Sequence, residues 1–337
     1  MHTWSFVLRR FLSLVPVLFG VLLIVFVMGR VIPSNPLHFF IGQEADAAFV
    51  ERMRQELRLD DPLWVQFGTY VANVARGDLG MAWSTRNPVA VDLATRLPAT
   101  FELVILSMIV VVGLAIPLGV VSAIKVNTWV DHMSRIVSLI GVAIPSFWLG
   151  LLLIYWGFFL AGIFPPPLGR TGIGVNVQPI TGFYLVDTLW QGDGRAFRDV
   201  LSFLALPVIA LSIERLAQLS RLVRATMLEV LNDSYIEAAR SQGLRPTTIH
   251  YKLALKNALL APITQIALIF GNLLGGAVII EIVFSWPGAG SWAVDAALAG
   301  DFAPVQAFAL ISAFARVAIF LVTDVVYVLI DPRIRFT

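Results

Sequence analysis

The chain is 337 residues long, 58% hydrophobic and only 14% charged, where a soluble domain carries about 25% charged residues. A polypeptide this apolar cannot cover itself with polar surface, so lipid is its expected solvent, and a net charge of +2 gives no reason to expect nucleic acid as a partner. The absence of Cys excludes disulfides, zinc–thiolate sites and thiol catalysis.

A bilayer core of about 30 Å takes roughly 20 apolar residues as a helix. The first run of that length is Phe11–Gly29, preceded by Arg9-Arg10. It is longer than the apolar core of a secretory signal and no A-x-A-like cleavage site follows it, so residues 1–32 read as a short N-terminus and an uncleaved first span. Residues 33–98 form the largest expected segment outside the membrane. Within it, Phe49, Met53 and Leu57, and then Trp64, Phe67 and Val71, recur at helical spacing, separated by Asp60-Asp61-Pro62. Short amphipathic helices lying against the span ends are expected, with Trp64 and Trp83 suited to the membrane interface.

Residues 99–330 hold five further expected spans, at about 102–124, 135–163, 200–220, 257–281 and 304–330. Three contain long uncharged runs, Leu103–Ile124, Ile136–Phe164 and Asn257–Ile280. The other two carry charges inside them: Glu214-Arg215 in the fourth span, Arg316 and Asp324 in the sixth. The fold class expected is therefore an all-α integral membrane protein with six transmembrane helices.

Lys and Arg near span ends favour the cytoplasmic side. With the N-terminus inside, the inner segments carry 13 Lys and Arg, and the two short outer loops together carry 3. Both termini, including residues 331–337, are thus expected in the cytoplasm. The 221–256 loop, between spans four and five, is expected there too.

Enzyme signatures are missing: no H-E-x-x-H, no G-x-S-x-G and no phosphate-binding G-x-x-x-x-G-K-[ST]. The four His residues are scattered, and no pair has metal-ligand spacing. Charges inside spans are expensive in lipid and suggest function by default. Glu214 and Asp324 fall toward span ends, where head groups or helix caps also account for them. Arg316 sits near the middle of its span, and either faces a solute path or pairs with a carboxylate on a neighbour. Glu281, at the end of span five, is the second candidate for that path.

The inner loop carries the sharpest local signal, "SYIEAARSQGL" at 234–244. Ser234 and Glu237 have capping-box spacing, Gly243 suits the left-handed residue after a helix with Leu244 as its hydrophobic partner, and Pro246 blocks continuation. An eight-residue helix from Tyr235 to Gln242 follows, about 12 Å long. A helix this short is marginal in water and needs a surface to dock on. Ile236, Ala239 and Gly243 share one small-profile face with Tyr235 beside them. That face suits close approach of a partner, and it equally suits packing on the protein's own spans.

These residues resemble a known family. "EAARSQGL" followed by "HYKLALKNALLAPIT" looks like the EAA loop of ATP-binding-cassette importer permeases, and more closely the dipeptide/oligopeptide/nickel family. The likeness continues in "LRLDDPLWVQFGTYVANVARGDLG", "RLPATFEL", "AIPSFWLGLLLIYW", "SRLVRATMLEVL", "EIVFSWPGAGSWAVDAALAGDFAPVQA" and "VYVLIDPRIRF". It implies a type I importer permease fold with an outer-face segment after the first helix. The family's short loop helix is the coupling helix, docked on a cytoplasmic ATPase. That carries over to Glu237, Ala238, Ala239 and Gly243, with Tyr235, Ile236 and Leu244 on the same helix and its end, and with Leu255, Asn257 and Pro262 downstream.

The resemblance further implies a homologous second permease chain, two cytoplasmic ATPase subunits holding ATP and Mg, and a solute-binding protein at the outer face of a bacterial or archaeal cell membrane. The chain itself is then no enzyme and holds no cofactor. Short peptides are the cargo implied, with nickel or another small solute as the alternative. Three departures bear on cargo: Ser34-Asn35-Pro36 where the family often has Gly-Asp-Pro, Phe320 where an Asn is common, and a shifted Pro in Leu260-Ala261-Pro262. A rival class, an ion-coupled secondary transporter, would need an ion site among Arg316, Glu281 and Asp324.

Overall fold

The computed structural model describes residues 3–30 and 61–330, with side chains for 15–28 and 61–323. The expected helix through Phe49, Met53 and Leu57, the Ser34-Asn35-Pro36 step, the side chains of Arg9, Arg10 and Asp324, and residues 331–337 lie outside the described residues. The chain divides into two units: residues up to Pro98 with Gly288–Val317, and Ala99–Pro287 with the residues from Ala318 onward.

In the first unit, helix α1 (Thr3–Arg30) contains Pro16, and helix α2 (Leu63–Ala75) packs beside it. The contact is aromatic: Phe67 meets Phe19 and Phe26 edge-on at 5.5 and 5.3 Å, and Tyr70 lies 5.8 Å from Phe26. Phe67 therefore faces inward as its spacing predicts, whereas Trp64 is 77% exposed. Burial pushes the Tyr70 hydroxyl up to about 12.

A two-residue hairpin follows, β1 (Met81–Ala82) antiparallel to β2 (Asn87–Pro88). Its turn is held by Asp92, which accepts from the Thr85 hydroxyl and, at 3.0 Å, from Asn87. Asp301 accepts from the amide and hydroxyl of Ser84 at 2.9 and 3.0 Å. Beneath the hairpin, Ala82, Val89, Leu93, Trp292 and Ala307 form the core of the unit.

Long apolar helices dominate the remainder. They are α3 (Val89–Ile124), α7 (Gly194–Leu231), α11 (Leu260–Val283) and the Phe302–Thr323 part of α13 (Phe302–Ile330), each apolar enough to cross a bilayer. The span expected at 135–163 is not one straight helix. Helix α4 (Trp129–Ala143) and helix α5 (Ser146–Leu153), which continues as a π-helical Ile154–Leu160, are bent by 99°. Pro145 is the cause. It disfavours helical backbone at the residue before it, and Ile144 is indeed extended at φ −87°, ψ 119°.

Within the second unit, α3, α4 and α7 approach closely where α7 nears the 232–256 loop. A Cβ on Gly119 would sit 2.7 Å from the Ser220 carbonyl oxygen, and one on Gly141 would sit 3.0 Å from Ala217 Cβ. Ser138 and Ser220 hydroxyls are 3.2 Å apart. Small residues let helix backbones meet where no hydrophobic drive separates helix from lipid.

The connection after α5 contains helix α6 (Tyr184–Trp190) and is pinned by two buried acids. Glu102 on α3 accepts from Arg170 at 2.6 Å and from the Leu185 amide at 2.7 Å, and the Arg170 guanidinium stacks 3.6 Å from the Tyr184 ring. Asp187 accepts from Ile180, Thr181 and Gly182 amides and from the Thr181 hydroxyl. Burial works against ionisation of Asp187, but these four donors outweigh it and hold the carboxyl below its ordinary value.

Candidate functional site

The segment between α7 and α11 folds as helix α8 (Ser234–Ser241), a short helix α9 (Pro246–Thr248), a π-helical turn Ile249–Ala254, and helix α10 (Leu255–Ala258). Pro246 serves as the first residue of α9, where its missing N–H costs nothing.

Helix α8 starts one residue earlier than its sequence suggests. Asp233, not Ser234, is the N-cap, and no side chain caps the helix. The amides of Ile236 and Glu237 go instead to the Asp233 carbonyl at 3.0 and 3.3 Å. The expected Ser234–Glu237 capping box is therefore absent, because with the start shifted Ser234 is already helical and off-register for it. Glu237 lies in the first turn, where its charge suits the positive end of the helix dipole.

At the other end the helix stops one residue early, with Gln242 as its C-cap, and the glycine cap forms as expected. Gly243 takes φ +73°. Its amide donates to the Arg240 carbonyl at 3.0 Å, and that of Leu244 to the Ala239 carbonyl at 3.2 Å. These are the paired bonds of a Schellman cap. Leu244 stays 41% exposed.

The two faces of α8 separate cleanly. Ile236 is fully buried and Ala239 6% exposed, and the helix packs on the Ile249–Ala254 turn. The apolar face thus holds α8 to its own chain rather than awaiting a partner. What it presents outward is Tyr235, Glu237, Ala238, Arg240, Ser241 and Gln242.

Two side-chain bonds pin α8 to both of its neighbours. Arg240 donates to the Leu231 carbonyl, the last residue of α7, at 3.4 Å. Asn257 on α10 donates to the Tyr235 hydroxyl at 2.7 Å. His250, in the turn under α8, is held below its usual value by burial and by the Arg240 charge. Position and spacing do not reveal these bonds. Asn257 and Tyr235 are far apart in sequence, and only the turn between them brings them together.

The path candidates fall in different settings. Glu281 is fully buried and accepts from the Thr100 hydroxyl at 2.6 Å, so in this conformation it faces a neighbouring helix. Arg316 is exposed on α13. Glu214 pairs with Arg215 at 3.2 Å and accepts from Gln218 at 3.0 Å, all on α7. Among the described residues no cluster of His, Asp or Glu could hold a metal ion.

Comparison with known proteins adds a family to this geometry. The sequence profile of binding-protein-dependent transport system inner membrane components matches residues 115–336, and the profile for the N-terminal part of such components matches residues 3–104. The chain is 41% identical to a probable D,D-dipeptide transport system permease of Escherichia coli (strain K12), over 99% of this chain and 98% of that one. It is 38% identical to a di/tripeptide transport system permease of Pseudomonas aeruginosa (98% of each chain) and 37% identical to a dipeptide transport system permease of Alkalihalophilus pseudofirmus (98% of this chain, 99% of that one).

Proposed function

The chain belongs to the family of binding-protein-dependent transport system inner membrane components, and from that premise we propose that it is one half of an ATP-driven importer for short peptides. Multi-pass, helical and without enzyme signatures, it is a transport permease of the inner membrane. The peptide cargo rests on the relatives, which are dipeptide and di/tripeptide permeases along their whole length.

The observation that carries the mechanism is helix α8. It is capped at its C-terminus, anchored by Ile236 and Ala239, and bonded both to the end of α7 and to the start of the next spanning segment. A helix fixed in this way transmits displacement instead of absorbing it. Two ATPase subunits closing on ATP and Mg would each pull one such helix, and the helices flanking α8 would follow and open the path. No phosphate-binding loop is required in this chain. In this account Tyr235, Glu237, Ala238 and Leu244 meet the ATPase, while Ile236, Ala239 and Gly243 hold the helix in place. Six spans with both termini cytoplasmic, an outer-face segment after the first span, a homologous second permease and an outer binding protein complete the assembly. Arg316 is the path-facing charge, and Glu281 joins it only if the helices beside it part.

The test places a charge on the outward face. Ala238→Arg should abolish co-purification of the ATPase subunits and peptide uptake, with the chain still inserted and monodisperse. Wild-type ATPase recovery would refute the docking face. Uptake of labelled nickel in place of labelled dipeptide would refute the cargo.

A further inference from the structure

We propose that Asp131 is a positioning residue that clamps α3 and α4 to α7, so that displacement of the coupling helix moves these three helices as one body. The proposal rests on reading Ser234–Ser241 as the coupling helix.

Asp131 is fully buried in the first turn of α4. Four donors converge on its carboxylate. Ser122 of α3 donates at 2.7 Å and the Asn127 amide at 3.1 Å. Arg224 of α7 donates twice, from Nε at 2.6 Å and Nη2 at 2.9 Å. Paired N–H bonds from a guanidinium to a carboxylate are strong and fix direction as well as distance. Asn127 holds φ +62°, a left-handed conformation that Asn tolerates better than most residues.

Arg224 lies about two turns before the end of α7, and α7 ends at the carbonyl that receives Arg240 of the coupling helix. The clamp therefore sits close to the point where α8 pulls. Around it the helices have no room to slide. Gly119 faces the Ser220 carbonyl, Gly141 faces Ala217, and the Ser138 and Ser220 hydroxyls touch. This body has a natural limit, since α4 ends at the Pro145 break and the chain turns by 99°. Motion taken up by α7 is shared by α3 and α4 and can be released at Pro145.

Loss of a clamp that only stabilised the fold would lower stability and leave the coupling ratio alone. Asp131→Asn keeps the shape and one acceptor oxygen, enough for the bond from Ser122 or from the Asn127 amide but not both, and it loses the charge and the second oxygen that hold the Arg224 fork. In the whole transporter, purified through a tag on this chain and placed in proteoliposomes with its binding protein, uptake and ATP hydrolysis are measured together. Expected is a fall of roughly tenfold in peptide taken up per ATP hydrolysed, the scale of coupling between residues in one ion-pair network, with ATPase subunits recovered in wild-type amounts. An unchanged ratio overturns the proposal. A wild-type chain that retains no ATPase subunit overturns the coupling reading itself, and this proposal with it.

If the Asn variant does not assemble, a cross-link decides. The chain has no Cys, so Ser138→Cys/Ser220→Cys introduces the one pair. Oxidation should leave most of the uptake of the reduced form, because the two positions move together. Loss of uptake on oxidation, restored by reductant and absent in the wild type, overturns the single-body account.

Discussion

Replacing Gly243 tests the rigidity of the coupling helix with little steric complication. A Cβ built on Gly243 meets nothing within 4 Å, so a substitution there costs backbone energy alone. At φ +73° the left-handed conformation costs an L-residue about 1–2 kcal/mol, and a β-branched residue more. Asn is the least strained of the alternatives. The opposing anchors are burial of Ile236, about 1.5–3 kcal/mol, a smaller term from Ala239, and the Asn257–Tyr235 and Arg240–Leu231 bonds, about 0.5–1.5 kcal/mol each. A Val at 243 therefore removes a substantial part of the energy that holds α8 in place. Because apparent affinity scales with the population of the competent conformation, Gly243→Ala should weaken ATPase association by up to about 5–30-fold, Gly243→Asn by less and Gly243→Val by more. The assay is ATPase subunit retained on the immobilised permease over a concentration series. A flat series, with Val equal to Gly, would refute the idea that association needs a preformed cap.

Other expectations follow from single contacts. Gly119→Ala would force Cβ to 2.7 Å from the Ser220 carbonyl oxygen, a backbone atom that cannot give way, so thermal unfolding in detergent should show a loss of about 1–3 kcal/mol. Gly275→Ala, with nothing within 4 Å, should show none. Tyr235→Phe removes the bond from Asn257 and should cost about 1 kcal/mol, read as a small rise in the ATPase concentration needed for half-retention. The folded Asp187 carboxyl is depressed, so its stabilisation is complete at neutral pH and is lost as pH falls through and below the ordinary carboxylate range. Proteolysis of the 165–193 connection should therefore rise on acidification, and Asp187→Asn should flatten that dependence.

The membrane class is legible in the sequence because uncharged runs this long and this numerous have no stable place outside lipid. Helix α8 and its end are legible too, because Gly243 is a local stop signal that the structure bears out with a left-handed residue and a Schellman cap. Its start is not, for a related reason. Asp233 and Ser234 are both good cap residues, and only the chain direction leaving α7 decides between them. The inward turn of Ile236 and Ala239 is equally ambiguous in sequence, since one small apolar face serves an internal or an external partner alike. The bend at Pro145 is present in the sequence but masked by the apolar residues on both sides. The Asp131 clamp is not legible at all. Its donors come from three elements, and Asp131 by itself reads as an ordinary acid in the first turn of a helix.

The most direct test of the whole account is uptake of a labelled dipeptide into proteoliposomes. The account predicts uptake only when this chain is reconstituted with its second permease, its ATPase subunits, the binding protein and hydrolysable ATP. Uptake by this chain alone, driven by an ion gradient without ATP, would contradict it.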